Sequence, residues 1–338
     1  MAAYPATNIF SVPMNYVTVL QMNRNDENGV AAAAPAADAS HHADGPARIV
    51  FVAGISFSGS TLMGLMLGSQ PGLIFGGELK DYKRRMQSQI RGSGSFCSCG
   101  GARETCPFWS VVQERYGAET ELSPAPGFSW SNLLLGVKLL LGIGLKRQET
   151  TAHGSLLKSI YAVAREQYPD TRYVVDTSKS ISNLDAISRT PGIDVSVIHL
   201  IRDGTAVAGS YKKRGSGLLY GMATWSIGNI FIWLYIKRRQ LRSMRVDYRS
   251  LCVGDEATYR ALNEFLGTDL KLETATDLIR HTRYHIVSGN GKVRRSATDF
   301  QGIRYAESPL AANRLEQLIA NTIVRPLNRS FGSGRAKP

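Results

Sequence analysis

The sequence predicts an α/β fold: a single domain with a central, mainly parallel sheet flanked by helices, carrying a P-loop-like turn after its first strand. Three observations predict it. The apolar run Arg48–Ala53 breaks into a loop of small residues, Gly54 to Gly59, and resumes as the helix-like Ser60–Leu67. That strand, loop and helix layout lets backbone N–H groups and the positive helix end hold an anion. Beyond it, short strand-like and helix-like segments alternate, the pattern of a parallel sheet with covering helices. Finally, Val195–Ile201 is too apolar throughout to lie on an exposed sheet face.

Taken in order, residues 1–46 contain Ala31–Ala37 and the polar stretch Asn23–Gly29 without periodicity, so a disordered tail is expected there. The segment has no basic start followed by a long apolar core, so it does not read as a signal peptide. The domain proper is expected over 47–330, with 331–338 a flexible tail. Residues 80–150 are rich in Gly, Ser and Pro and read as an irregular insertion on the acceptor side of the site. A helix is predicted over His153–Tyr168, closed by Pro169-Asp170, followed by a short strand at Tyr173–Val175. Ile181–Ser188 reads as a helix ended before Pro191-Gly192, and Val195–Ile201 as the second strand of this half. Thr205–Lys213 is helical, Met244–Tyr248 strand-like and Glu256–Leu266 helical, and Ser308-Pro309 starts a last helix to about Val324. Two segments, Leu133–Ile143 and Met222–Ile236, are unusually apolar but fall short of the roughly 20 residues needed to span a bilayer. They read as buried helices, with interfacial membrane contact as the alternative.

Composition bounds the partners. Of 338 residues, 43% are hydrophobic, ample for a core, and the formal charge of +13 points to anionic ligands or surfaces. Four cysteines are too few for a disulfide scaffold. Cys97, Cys99 and Cys106 are candidates for three zinc ligands, but a C-x-C pair lacks the usual spacing and no fourth ligand is evident. A structural loop with reduced thiols is therefore expected, and no metal. Cys252 reads as strand-edge packing.

The spacing Gly54-x-x-x-x-Gly59-x-Thr61 fits a P-loop except at Ser60, which stands where a nucleotide-hydrolysing loop needs lysine. The loop suits phosphate and is poorly equipped for ATP. Three polar clusters fall at other strand ends, where an open α/β sheet builds its crevice. They are Asp176-Thr177-Ser178-Lys179, then Arg202-Asp203-Gly204-Thr205 with Ser210 and Arg214 on the following helix, and the basic turn Gly289–Arg295.

These motifs, in this order, resemble those of sulfotransferases that use 3′-phosphoadenosine 5′-phosphosulfate (PAPS), over about residues 47–325. The resemblance implies a sulfotransferase-like fold, an enzyme with PAPS as co-substrate, 3′-phosphoadenosine 5′-phosphate (PAP) as product, and no metal; a cytoplasmic location is expected, with peripheral membrane association as a variant. It places the 5′-phosphosulfate on Ser56, Phe57, Ser58, Gly59, Ser60 and Thr61, and the 3′-phosphate on Arg202, Ser210 and Arg214. Val246–Leu251, with Tyr248, is similar to the family's Val-x-Tyr-Glu-Asp-Leu strand, with Arg249 and Ser250 in place of the acidic pair. His285–Arg294 resembles a segment of bacterial members that closes over the nucleotide, and adds Asn290, Lys292 and Arg294. The Cys97–Trp109 stretch is likewise similar to one in those members. Glu78 sits in a Gly-Glu context like that of the general base in tyrosylprotein sulfotransferases. His199 and His285 are weaker candidates for that role.

The family's basic residue before Ser-Gly-[Ser/Thr]-Thr is here Phe57, and Lys179 is the expected substitute cation. Because a sulfuryl group carries less charge than a phosphoryl group, the loop needs N–H donors and hydroxyls more than a lysine and Mg²⁺. Alternatives are a P-loop small-molecule kinase, which would want lysine at position 60, and a catalytically silent PAPS- or PAP-binding homologue. Nucleic acid is not an expected partner, since no recognition fold or aromatic–basic platform is present. The acceptor is open among a carbohydrate, a glycolipid, another amphiphile or a tyrosine.

Overall fold

Strand β1 (Ala47–Ala53) lies at the centre of a five-stranded sheet, because its apolar run has no face that tolerates water. Ile49, Phe51 and Ala53 pack into one apolar layer and Val50 and Val52 into the other. The computed structural model describes residues 45–82, 85, 97–102, 104–116, 136–139, 141–143, 147–289, 300–305 and 312–332. The other strands are β2 (Leu73–Gly77), β3 (Tyr173–Lys179), β4 (Ile193–Ile201) and β5 (Ser243–Asp247), in the order β2-β3-β1-β4-β5. All four pairings are parallel; Val50 stands beside Val175 on one side and Ser196 on the other. Residues 44–338 cluster as one unit.

Helices cover both faces. α1 (Ser60–Gly68) follows the glycine loop, α2 is Trp109–Tyr116, and α3 (Arg147–Gln167) leads into β3. α4 (Ile181–Ser188) is capped by Ser180, whose side chain accepts from Asn183 N, and α5 (Gly204–Lys213) is capped by Asp203 accepting from Ala206 N. Such caps satisfy N–H groups that a helix start leaves without partners. α6 spans Leu218–Arg238, α7 Tyr248–Val253, α8 Glu256–Leu266 and α9 Leu272–His281. The last helix, α10 (Arg314–Ile319), passes through a π segment (Ala320–Val324) into α11 (Arg325–Phe331).

The sequence reading holds for β1, α1, α4, β4, α5 and α8, and for α3 and α6, which both start earlier than expected; it changes elsewhere. Asp176–Lys179, expected as a turn after a short strand, is strand to its last residue. Tyr248, expected on a strand, opens α7, because Asp247 caps there by accepting from Ser250 N. Cys252 therefore sits on a helix, not at a strand edge. Strand β2 and helix α9 were not expected, since Gly76-Gly77 hides the strand. The terminal helix runs past Val324 to Phe331, while 306–311 lie outside the described residues. The apolar Met222–Ile236 belongs to a longer helix that, by length and composition alone, could cross a membrane. Its Trp225, Asn229, Ile232 and Tyr235 are nonetheless buried in the domain.

Candidate anion and transfer site at the strand ends

The glycine loop is shaped by its neighbours. A Cβ on Gly54 would meet Leu200 O at 2.9 Å and Ser58 Oγ at 3.0 Å, and one on Gly59 would fall 2.1 Å from the Tyr248 ring. Gly59 also takes φ +91°, so glycine is required there twice over. Helix α1 begins at Ser60 with no side-chain cap and no acidic residue in its first turn. Its positive end is left for an anion. Ser58 Oγ is buried without a hydrogen-bond partner, a polar group held toward the loop interior.

Arg202 fastens this loop. Its Nη1 donates to Phe57 O at 3.0 Å and its guanidinium lies over the Tyr248 ring at 5.0 Å, while the buried Nε has no partner. Trp225 Nε1 donates to Arg202 O at 2.9 Å, so α6 fixes the strand end from behind. The Phe57 ring meets Tyr211 edge-on at 4.9 Å, and Arg214 reaches over the same ring at 5.6 Å. Phe57 thus sets an aromatic ring in the loop, with the Arg214 cation from the end of α5 upon it. Ser210 Oγ donates to Ala206 O within its own helix.

On the other side of β1, β3 and β2 bring a carboxylate between two lysines. Gly54 N donates to Lys179 O at 3.4 Å, which sets Lys179 at the mouth of the loop. Lys179 Nζ pairs with Glu78 Oε1, and Lys80 Nζ lies 3.5 Å from Glu78 Oε2. Lys80 is the residue that sequence reasoning missed; its signal was a lysine two residues past Glu78. Burial pushes its ammonium below the usual lysine range, Glu78 offsetting part of this and Lys179 adding to it. The backbone under this group is held by Asp176, whose Oδ1 accepts from Leu79 N, Ser178 N and Ser178 Oγ. His153 Nε2 lies 3.6 Å from Asp176 Oδ2. Phe57 and Lys179 both take φ +69°. Side-chain-bearing residues seldom adopt that conformation, and where they do it tends to mark working sites.

No family model matches the chain, and no curated protein matches it. Among solved structures it is similar to the sulfotransferase domain of the Synechococcus PCC 7002 olefin synthase, at 20% identity and a TM-score of 0.43, over 81% of this chain and 93% of that one. It is also similar to the sulfotransferase domain from the curacin biosynthetic pathway, at 16% identity and 0.43, over 82% and 97%. A third is sulfotransferase STF1 from Mycobacterium tuberculosis H37Rv, at 15% and 0.40, over 71% and 72%. At these identities and TM-scores the likeness assigns no role to any residue.

The structure brings together Ser56–Thr61, Arg202, Arg214 and Tyr248 around the loop, and Glu78 and Lys179 beside it. Asn290, Lys292 and Arg294 lie outside the described residues. Neither histidine candidate sits in this group. His199 is buried, its Nε2 3.0 Å from Asn229 Oδ1, and burial lowers it to about 4, so it rests neutral inside the sheet. His285, expected beside the nucleotide segment, turns into the cysteine stretch: its Nδ1 lies 3.6 Å from Cys97 Sγ and 3.3 Å from Cys106 Sγ. The absence of a fourth candidate ligand, as read from the sequence, is thereby corrected, because that ligand comes from far along the chain.

Proposed function

We propose that the protein is a PAPS-dependent sulfotransferase, moving a sulfuryl group to a hydroxyl or amine of an acceptor. The observation that carries this reading is the Glu78–Lys179–Lys80 group set beside an uncapped, glycine-shaped anion loop. Sulfuryl transfer asks for that combination: donors for the phosphosulfate, a cation for charge on the bridging oxygen, and a base for the acceptor proton.

In the proposed step the acceptor oxygen or nitrogen attacks sulfur in line, forming one bond as the bond to the bridging oxygen breaks. PAP leaves with that electron pair. Glu78 takes the acceptor's proton after exchanging Lys179 for the acceptor. Lys179, drawn to the incoming anion, neutralises the leaving oxygen in place of the cation missing at Phe57. Arg202, with a buried Nε to spare, and Ser210 and Arg214 from α5 would hold the 3′-phosphate. Ser60, standing where a kinase loop would want lysine, separates this reading from a kinase.

The test is thermal stabilisation of the full chain by PAP without divalent metal, followed by transfer of labelled sulfate from PAPS into an extract of the source cells. PAP should raise the melting temperature more than adenosine 5′-phosphosulfate, which lacks the 3′-phosphate. Arg202→Ala should cost about 1.5–3 kcal/mol of binding and Ser210→Ala less. Equal stabilisation by the two nucleotides would sink the assignment. A silent PAP-binding homologue is the second reading, favoured by the Phe57 ring packed between Tyr211 and Arg214. It predicts PAP binding with no transfer to any acceptor.

A further inference from the structure

The Cys97–Trp109 stretch takes no part in the proposed transfer, yet it builds the densest group of metal-ligating atoms among the described residues. Cys97, Cys99 and Cys106 Sγ and one ring nitrogen of His285 all lie within 4.8 Å of one another. Cys97, Cys106 and His285 are buried and Cys99 half-buried. The cysteines are free, and the Cys99–Cys106 separation of 3.7 Å is far beyond a disulfide bond.

Three of the separations match those of ligands on one tetrahedral ion. Four ligands bound tetrahedrally to one zinc ion, with Zn–S of about 2.3 Å and Zn–N of about 2.0–2.1 Å, place sulfurs about 3.8 Å apart and sulfur from nitrogen about 3.6 Å. Here Cys99 Sγ lies 3.7 Å from Cys106 Sγ, Cys97 Sγ 3.6 Å from His285 Nδ1, and Cys106 Sγ 3.3 Å from His285 Nδ1.

The surroundings are built to hold these ligands. The Cys97–Gly101 loop is closed by Cys97 N to Gly101 O at 3.3 Å and Gly100 N to Cys97 O at 3.2 Å. This tight turn lets a C-x-C pair converge where a C-x₂-C pair would otherwise be needed. A Cβ on Gly101 would crowd Cys106 Cα at 3.2 Å and Cys99 Sγ at 3.4 Å. Trp109 N approaches Cys106 Sγ at 3.5 Å, the kind of outer contact that orients a thiolate ligand. Phe108 stacks on the imidazole at 5.6 Å, and Trp109 Nε1 donates to His285 O at 2.8 Å, so ring and backbone of His285 are both fixed.

We infer that Cys97, Cys99, Cys106 and His285 form a closed Cys₃His site for a structural zinc ion. Three thiolates and an imidazole select zinc over hard cations such as Mg²⁺ or Ca²⁺. Four protein ligands leave no open position, so the ion serves as a clasp and not as a Lewis acid. What it clasps matters to the transfer site. Ser98 Oγ donates to Tyr284 O and accepts from Ile286 N. Residues 286–288 then run beside β2, with Val287 N donating to Gly76 O and Glu78 N to Ser288 O, each at 3.1 Å. The ion thus pins the cysteine loop to the peptide that holds Glu78 in place. Metal binding itself does not rest on the sulfotransferase reading.

The test is metal analysis of the full chain purified without chelator after zinc-supplemented growth. About one zinc per chain is expected, released by a mercurial reagent that blocks thiolates. Cobalt exchanged into the site should give the intense visible absorption of tetrahedral thiolate coordination. Cys106→Ser and His285→Ala should lose the metal, whereas His285→Cys, which keeps four ligands, and Cys252→Ser, outside the group, should retain it. Should the ligand variants fail to fold, the wild-type protein still decides: chelation at neutral pH should lower its melting temperature and remove hydrogen-exchange protection at Val287 N and Glu78 N. Wild-type protein holding less than about one tenth of a zinc per chain and giving no thiolate–cobalt spectrum would overturn the inference. So would undiminished zinc in Cys106→Ser.

Discussion

At the scale of single residues, Phe57 brings no charge to the loop, and Lys179 and Lys80 stand as cations beside it. Lys179 ends β3 in a strained conformation and reaches Glu78, and Lys80 approaches the same carboxylate from the next turn. Strain at a paired, buried lysine suggests that its position is held for chemistry. Under the proposed step, Lys179→Ala is expected to slow transfer by about 10²–10³ while PAP affinity changes less, because that step uses the charge mainly as the leaving oxygen develops negative charge. Glu78→Gln should keep nucleotide binding and lose about 10²–10⁴ in rate. Phe57→Arg in the Lys179→Ala background should recover part of the rate by returning a cation to the loop. Steady-state rates with a true acceptor check all three, and normal turnover in Lys179→Ala would remove that residue from the mechanism.

At the scale of elements, legibility followed how local each signal was. The glycine loop, β4 and α5 were readable because pattern and punctuation lie within the segment itself. Strand β2 was not, since Gly76 and Gly77 carry no side chain to show period two; it is strand because it pairs with β3. Glu78 and Lys179 could be named from the sequence, but not their ion pair, which joins positions far apart in the chain. The same limit hid His285 from the cysteines. His199 shows how an element can carry a titration. It lies inside β4 facing α6, bonded to Asn229, which in turn donates to Trp225 O. Arg245 is the charged group that acts on it, and disfavours its protonation. With the folded value lowered to about 4 from 6.5, the unfolded chain binds the proton more readily. The stability from a neutral His199 is present above pH 6.5 and is lost as pH falls toward 4; about 2 kcal/mol should be gone by pH 5. Melting curves across that window check it. His199→Gln, which keeps a donor for Asn229, should flatten the profile, and an unchanged profile would assign the acid sensitivity elsewhere.

At the scale of the whole molecule, the described residues of the first apolar segment prove to be neighbours of the second. A Cβ on Gly136 would meet the Phe231 ring at 2.3 Å, and one on Gly142 would lie 3.3 Å from Arg238 Nη2, so Gly136 and Gly142 both lie against α6. α6 is divided between two duties. Its buried residues hold Arg202 and His199, while Trp233 and Leu234 are exposed, as are Val137, Leu141 and Ile143 of the neighbouring segment. Lys237, Arg238 and Arg239 follow at the end of the helix. Apolar side chains bordered by cations match the chemistry of an anionic lipid surface, where each basic residue adds about 1 kcal/mol. The full chain is accordingly expected to co-sediment with vesicles containing phosphatidylserine, to do so less with pure phosphatidylcholine, and to be released by salt. Leu141→Glu, at an exposed position on this patch, should weaken the association without moving the melting temperature. Retention by neither vesicle at low salt would reduce the patch to ordinary protein surface. Retention only by the anionic vesicles would place the transfer site near lipid headgroups and narrow the acceptor toward an amphiphile.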